Sequence, residues 1–224
     1  TSDYQPPPAI PGSAGRPPPG RTMSAMNEKS FAVLVPLILQ QEEVQILLPM
    51  VSDLEQVRRV RGMLQETAFE LSEGGAATVP RWKLGIMVEL PATALMADQF
   101  APEVDFFSLG TNDLIQYTLA VDRGTAKVAG LYDQFHPAVL KLLRTVVESG
   151  EKHGVPVTIC GEMAGDPIAV PLLLGLGLRV LSMSPGLIPE VKEVIRKTDS
   201  NAAKELACRC LGYGSGDDVL AALG

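Results

Sequence analysis

Three small polar residues, Thr111, Asn112 and Asp113, follow an apolar run at residues 104–109 and a breaking Gly110. A carboxylate such as Asp113 offers a hard oxygen to Mg²⁺. Asn112 can donate its amide to an anion, as can the backbone N–H groups of a turn. Arg123, further along, presents a planar fork suited to a carboxylate or phosphate, although an isolated arginine is commonly a surface residue. Glu89 closes a second apolar run just ahead of Pro91. Alone, such a carboxylate is more often a salt-bridged strand-end residue. Paired with Asp113 from the next strand it makes a two-carboxylate Mg²⁺ site, with water and substrate oxygens completing the octahedron. Cys160 closes a third run, within Thr158-Ile-Cys-Gly-Glu-Met-Ala-Gly-Asp166. On its own it reads as a small buried hydrophobe.

The elements that must position these side chains are readable from Val44 onward. Residues 44–50 have a buried-strand pattern, and Ser52-Asp53-Leu54-Glu55 reads as a capping box. Leu54, Val57, Leu64, Ala68 and Leu71 then recur at helical spacing up to Gly74-Gly75. Residues 83–90 form the next strand, and Pro91 opens a helix to about Phe100. The strand before Gly110 leads into a loop-rich segment at 108–132. His136-Pro137 opens a helix with Val139, Leu140, Leu143, Val146 and Val147 on one side, ending near Gly150 or Gly154. Residues 156–160 are a strand, 161–166 a loop, 167–177 a helix and 179–183 a last short strand. Helices at 189–197 and 201–211 and a short C-terminal helix follow.

Five strand–helix repeats with short links mean parallel βα units, with right-handed crossovers that build either a doubly wound sheet or a barrel. Glu89, Asn112, Asp113 and Cys160 fall at the C-terminal ends of different strands, the distribution of a (β/α)8 TIM-type barrel's top face. A full barrel takes about 250 residues, so the expected architecture is partial: five βα units, the C-terminal part of a barrel. Residues 1–29 hold seven of the chain's 18 prolines amid Gly and Ser, and read as a disordered tail. The barrel domain is assigned to 30–224, although Pro36 interrupts the apolar segment at 30–41.

Composition narrows the partners. A net charge of −7 argues against nucleic acid or an anionic membrane as the main partner. No apolar stretch is long enough to span a membrane, and no secretory leader is visible. Three cysteines, Cys160, Cys208 and Cys210, lack a disulfide or zinc spacing and suit a reducing compartment, so a cytoplasmic location is expected.

The segment Ser108-Leu-Gly-Thr-Asn-Asp-Leu114, with Gln116 and the closing Ala120-Val-Asp-Arg-Gly124, resembles the second signature of the phosphoenolpyruvate (PEP)-utilising enzymes, in the form found in enzyme I of the bacterial sugar phosphotransferase system. The resemblance implies a (β/α)8 barrel that binds PEP and Mg²⁺. It implies Glu89 and Asp113 as metal ligands, Asn112 and Arg123 as contacts to the substrate phosphate, and Cys160 as the general acid at C3 of the enolate, with Glu162 orienting it. It further implies a homodimer and a phosphocarrier protein of the sugar phosphotransferase system as partner, reached through a phosphorylatable histidine on another domain. That histidine lies in a Thr-Ser-His sequence, which this chain lacks: its only histidines are His136 and His153. The upstream arginines of the family fall where the Pro-rich tail stands here, and Thr125 replaces a common Asn. The match is strongest over residues 44–197. Other readings are a fragment of a PEP synthase or pyruvate phosphate dikinase, a non-catalytic dimerisation module, or a metal-dependent aldolase barrel.

Overall fold

The structure, a computed structural model, describes residues 43–74, 81–122, 125 and 128–224. The expected tail, the apolar segment at 30–41 and Arg123 lie outside the described residues. All described residues belong to one unit, 41–224.

Five strands alternate with helices: β1 (Glu43–Leu48), α1 (Leu54–Glu73), β2 (Arg81–Val88), α2 (Pro91–Leu95), α3 (Ala97–Phe100), β3 (Phe106–Gly110), α4 (Thr111–Leu119), α5 (Pro137–His153), β4 (Val157–Cys160), α6 (Val170–Gly175), β5 (Val180–Leu181), α7 (Ile188–Lys197), α8 (Ser200–Cys210) and α9 (Gly216–Leu223). Every strand pairing is parallel, and the sheet order is β1-β2-β3-β4-β5. A doubly wound sheet reverses its order at a switch point. An order that never reverses, with right-handed crossovers, keeps advancing in one direction as a barrel wall does. Among the described residues the fold is five consecutive units of a (β/α)8-type barrel.

Register sorts the strand residues onto two faces. Val88, Leu109, Ile159 and Leu181 stand in one row across β2 to β5. The first three are fully buried, with Leu84, Ile86 and Phe107 on the same face, packed into the core with Phe100, Leu140 and Leu143. The opposite face carries Met87, Ser108 and Thr158 in one row, and Gly110 opposite Cys160 in the next. Each fully buried Leu, Ile or Phe contributes roughly 1.5–3 kcal/mol relative to exposure. The outer face therefore supplies cohesion and leaves the inner face free for polar groups.

Local signals explain the helix ends. Asp53, not Ser52, caps α1: its Oδ1 accepts from the Glu55 N–H at 2.7 Å, and Gln56 Oε1 returns to the N–H groups of Ser52 (2.9 Å) and Asp53 (3.3 Å). The box sits one residue later than its sequence signature. The expected helix from Pro91 to Phe100 divides into α2 and α3 around Met96. His136 caps α5, its Nδ1 accepting from the Ala138 N–H at 3.1 Å, and Gly154 ends it at φ +69°.

The largest departure from the sequence reading is α4. Thr111, Asn112 and Asp113, expected in a loop-rich segment, form its first turn. Leu114 and Ile115 bury against the core, and small polar side chains suit a helix start, where orphan N–H groups and the positive end of the dipole favour them.

Candidate active site

The site is built where β2, β3 and β4 end together. Leu109 pairs with Val88 and Gly110 with Cys160, so the residue after Val88, Glu89, stands level with Gly110 and Cys160. Neighbouring strands lie about 4.8 Å apart. Two strand steps thus separate Glu89 from Cys160, with the first turn of α4 rising between them.

Glu89 is 7% exposed, and its Oε2 accepts the Met50 backbone N–H at 2.7 Å. Met50 reaches it from the turn after β1 with φ +53°, a left-handed backbone uncommon for a bulky residue. Burial pushes the Glu89 carboxyl above its ordinary range. The Met50 N–H works against this, while the charge of Asp113 and a hydrogen bond shared with it add to the rise. Asp113, on α4, therefore lies near enough to Glu89 to act on its carboxyl. Gly110 leaves the space for this pair: a Cβ there would stand 2.7 Å from Glu89 Cγ and 3.1 Å from Met87 Cγ and Sδ.

Two carboxylates brought together, one of them buried, are the donor set of a hard divalent cation. Among the described residues, no cluster of three or more His, Cys, Asp or Glu side chains could hold a metal. A Mg²⁺ ion takes one or two protein carboxylates and fills its octahedron with water and substrate oxygens.

Asn112 occupies the second position of α4. Its Oδ1 accepts the Glu162 backbone N–H at 3.1 Å, which orients its amide nitrogen as a donor elsewhere. The α4 N-terminus carries no side-chain cap, and the first N–H groups of a helix have no partner within it. Cys160, the last residue of β4, is half-buried. Its thiol lies 3.4 Å from the Leu109 carbonyl, to which it donates, and 3.6 Å from Ser108 Oγ.

The structure thus brings together four of the five residues expected from sequence: Glu89, Asp113, Asn112 and Cys160. Arg123 lies outside the described residues. Sequence reasoning singled out Thr111 without giving it a role, and missed Met50 and Gly161. Thr111 is fully buried, its hydroxyl donating to the Cys160 carbonyl at 2.8 Å. Gly161 follows Cys160 at φ +101° and ψ −180°, a conformation open essentially to glycine alone. Cys208 is exposed on α8, and Cys210 is buried, where desolvation raises its thiol.

Comparison with known proteins gives the family. Residues 24–200 match the family model described as PEP-utilising enzyme, PEP-binding domain, so the chain belongs to the PEP-utilising enzymes. The match begins well upstream of Val44, where the motif-level likeness fades. Among curated relatives, a phosphoenolpyruvate-protein phosphotransferase of Listeria monocytogenes is 40% identical over 197 residues, covering 87% of this chain and 34% of that protein. Those of Geobacillus stearothermophilus and Bacillus subtilis are 44% and 43% identical, covering 79% and 80% of this chain and 31% of each relative. The chain thus spans about a third of the length of these relatives. A solved citrate lyase from Burkholderia xenovorans has a TM-score of 0.47 at 16% identity, covering 80% of this chain and 60% of that chain. No described helix is long and apolar enough to cross a membrane.

Proposed function

We propose that this chain is the PEP-binding part of a phosphoenolpyruvate-protein phosphotransferase of the enzyme I type. The observation that carries the proposal is the Glu89–Asp113 pair, set beside the amide-rich start of α4 and two strand steps from the Cys160 thiol. Glu89 and Asp113 hold Mg²⁺, which supplies positive charge to the phosphate and the developing enolate oxygen. Asn112 and the first N–H groups of α4 bind the phosphate, and Arg123 joins them as a bidentate donor. These groups orient PEP so that its phosphoryl group leaves in line toward a histidine of the whole protein, the bond to the enol oxygen breaking as the bond to the ring nitrogen forms. The electron pair left on the enolate then takes a proton at C3 from the Cys160 thiol, giving pyruvate and a thiolate that regains its proton from solvent.

In this reading the phosphate passes onward to a phosphocarrier protein of the sugar phosphotransferase system, and the whole protein works as a cytoplasmic homodimer. The histidine that accepts the phosphate belongs to a segment other than 43–224. His136 is committed as the cap of α5, and His153 contacts Asp98 at 2.9 Å.

Calorimetric titration with PEP tests the site, with and without Mg²⁺, beside Glu89→Gln and Asp113→Asn. The expected result is heat that depends on Mg²⁺ and falls at least about tenfold in affinity in both variants, the loss of one ligand from a two-carboxylate site. Wild-type affinity in either variant overturns the assignment.

A further inference from the structure

Beyond Cys160 the chain turns through Gly161 into a short 3₁₀ turn whose first backbone bond runs from the Ala164 N–H to the Gly161 carbonyl at 3.2 Å, so the Cys160 carbonyl and the Glu162 N–H are not part of it. The β3–β4 ladder ends at the pair Gly110–Cys160, because β3 passes into α4 at Thr111. The Cys160 carbonyl consequently has no backbone N–H of a continuing strand to accept. Gly161 then turns the chain at φ +101°, and a short 3₁₀ turn begins at Glu162.

Both ends of this turn are held by side chains from the start of α4. Thr111 Oγ1 donates to the Cys160 carbonyl at 2.8 Å, taking the place of the missing ladder N–H. Asn112 Oδ1 accepts the Glu162 N–H at 3.1 Å. Between these two bonds Gly161 passes so close that a Cβ on it would overlap Thr111 Oγ1 and stand 2.9 Å from Asn112 Oδ1. Thr111 is fully buried and cannot exchange its partner for water. The carbonyl it fixes belongs to the residue whose thiol sits against Leu109 and Ser108.

We infer that Thr111 and Asn112 act as a two-point clamp on the Cys160-Gly161-Glu162 turn, and that Thr111 is a positioning residue for the Cys160 thiol. The clamp gives Asn112 a second task besides phosphate contact: the side chain that reads the phosphate also holds the peptide carrying the acid. The inference rests on the proposed role of Cys160 for its consequence in catalysis. The clamp itself is testable without any ligand.

The test is alkylation by iodoacetamide at fixed pH, with labelling of each cysteine followed by peptide mass spectrometry. The other two cysteines act as controls within the same sample. Cys208 is exposed and serves as the rate reference. Cys210 is buried and reports unfolding. Thr111→Val removes the hydroxyl and keeps the shape. Freeing the turn raises Cys160 labelling relative to Cys208 by about threefold or more, since thiolate access sets the rate, while Cys210 stays protected. Thr111→Ser keeps the hydroxyl and retains the wild-type ratio. Asn112→Ala cuts the other limb of the clamp and shifts the ratio in the same direction. Unchanged ratios in Thr111→Val and Asn112→Ala overturn the inference. So does a shift in Thr111→Ser as large as in Thr111→Val, which would assign the effect to methyl packing. If Thr111→Val exposes Cys210, the Asn112→Ala ratio decides: a rise supports the clamp and no change refutes it. Failure of PEP or Mg²⁺ to bind leaves this readout untouched.

Discussion

Replacing Gly110 with alanine puts the carboxylate pair to a steric test. The backbone there has φ −87° and ψ 81°, open to an L residue, so the cost comes from the added methyl. Its carbon would lie 2.7 Å from Glu89 Cγ and 3.1 Å from two atoms of Met87. Carbon atoms prefer about 3.5–4.0 Å, so Glu89 must retreat by roughly 1 Å. That retreat works against the 2.7 Å bond that Glu89 accepts from Met50. Overpacking of this kind costs about 1–3 kcal/mol, and the lower entropy of the unfolded chain returns about 0.4–1 kcal/mol. A net loss of about 1–2 kcal/mol corresponds to a fall in Tm of about 2–8 °C for a chain of this size. The functional effect is larger than the effect on stability, because the methyl displaces one of only two carboxylates. We expect Mg²⁺-dependent PEP binding to weaken by more than about tenfold, consistent with one lost ligand. Thermal melts with and without Mg²⁺, together with calorimetry, measure both. A Gly110→Ala protein that melts like wild type and binds Mg²⁺ and PEP equally well would refute the placement of Glu89 against Gly110, and with it the metal site.

Glu89 also sets a pH dependence. Its folded carboxyl is raised above the ordinary value of 4.5, first by burial and then by Asp113. Above 4.5 the unfolded chain sheds a proton that the native state still holds, so stability falls as pH rises from 4.5 through the raised folded value. Melts of the metal-free protein should show this fall, Glu89→Gln should flatten it, and parallel curves would dismiss the effect. Saturating Mg²⁺ at about 100 times its Kd should restore about 2.7 kcal/mol to the wild type at neutral pH and little to Glu89→Gln. At the other end of β1's connection, Asp53→Ala should cost about 1 kcal/mol and lower Tm by about 2–4 °C without changing ligand affinity. Denaturant titration beside calorimetry checks both halves of that expectation.

How much of this was legible in the sequence varies from residue to residue. Strands β2, β3 and β4 announce themselves because parallel strands buried by helices need continuous apolar runs, and the runs before Glu89, Gly110 and Cys160 are of that kind. The place of Glu89 at a strand end was legible because a charge closing such a run has few places to go except the strand end. Helix α4 was not, because Thr, Asn and Asp favour turns as readily as first helical turns; the deciding contribution, burial of Leu114 and Ile115, belongs to the tertiary structure. The hydroxyl bond from Thr111 to Cys160 spans 49 residues, and no local pattern encodes it. Met50 at positive φ was equally hidden, since nothing in its side chain favours that backbone. Its N–H, aimed at Glu89, shows what the unusual conformation achieves.

The consecutive order of β2, β3 and β4 explains why the site has the contents it has. Side chains on one rung of a parallel sheet repeat at about 4.8 Å, so Glu89 and Cys160 sit about 10 Å apart at the backbone. The middle strand faces both flanks, and its contribution is accordingly the richest. Gly110 makes room toward Glu89, Asp113 completes the pair on that side, and Thr111 and Asn112 reach the other way to Cys160 and Glu162. A single helix turn thus binds the two halves of the site to each other. In the proposed reading, metal ligation and acid positioning fall to consecutive residues of one helix turn. A change that shifts the start of α4 must therefore disturb both, whereas a change confined to Met50 or Glu89 disturbs the metal side and leaves the thiol in place.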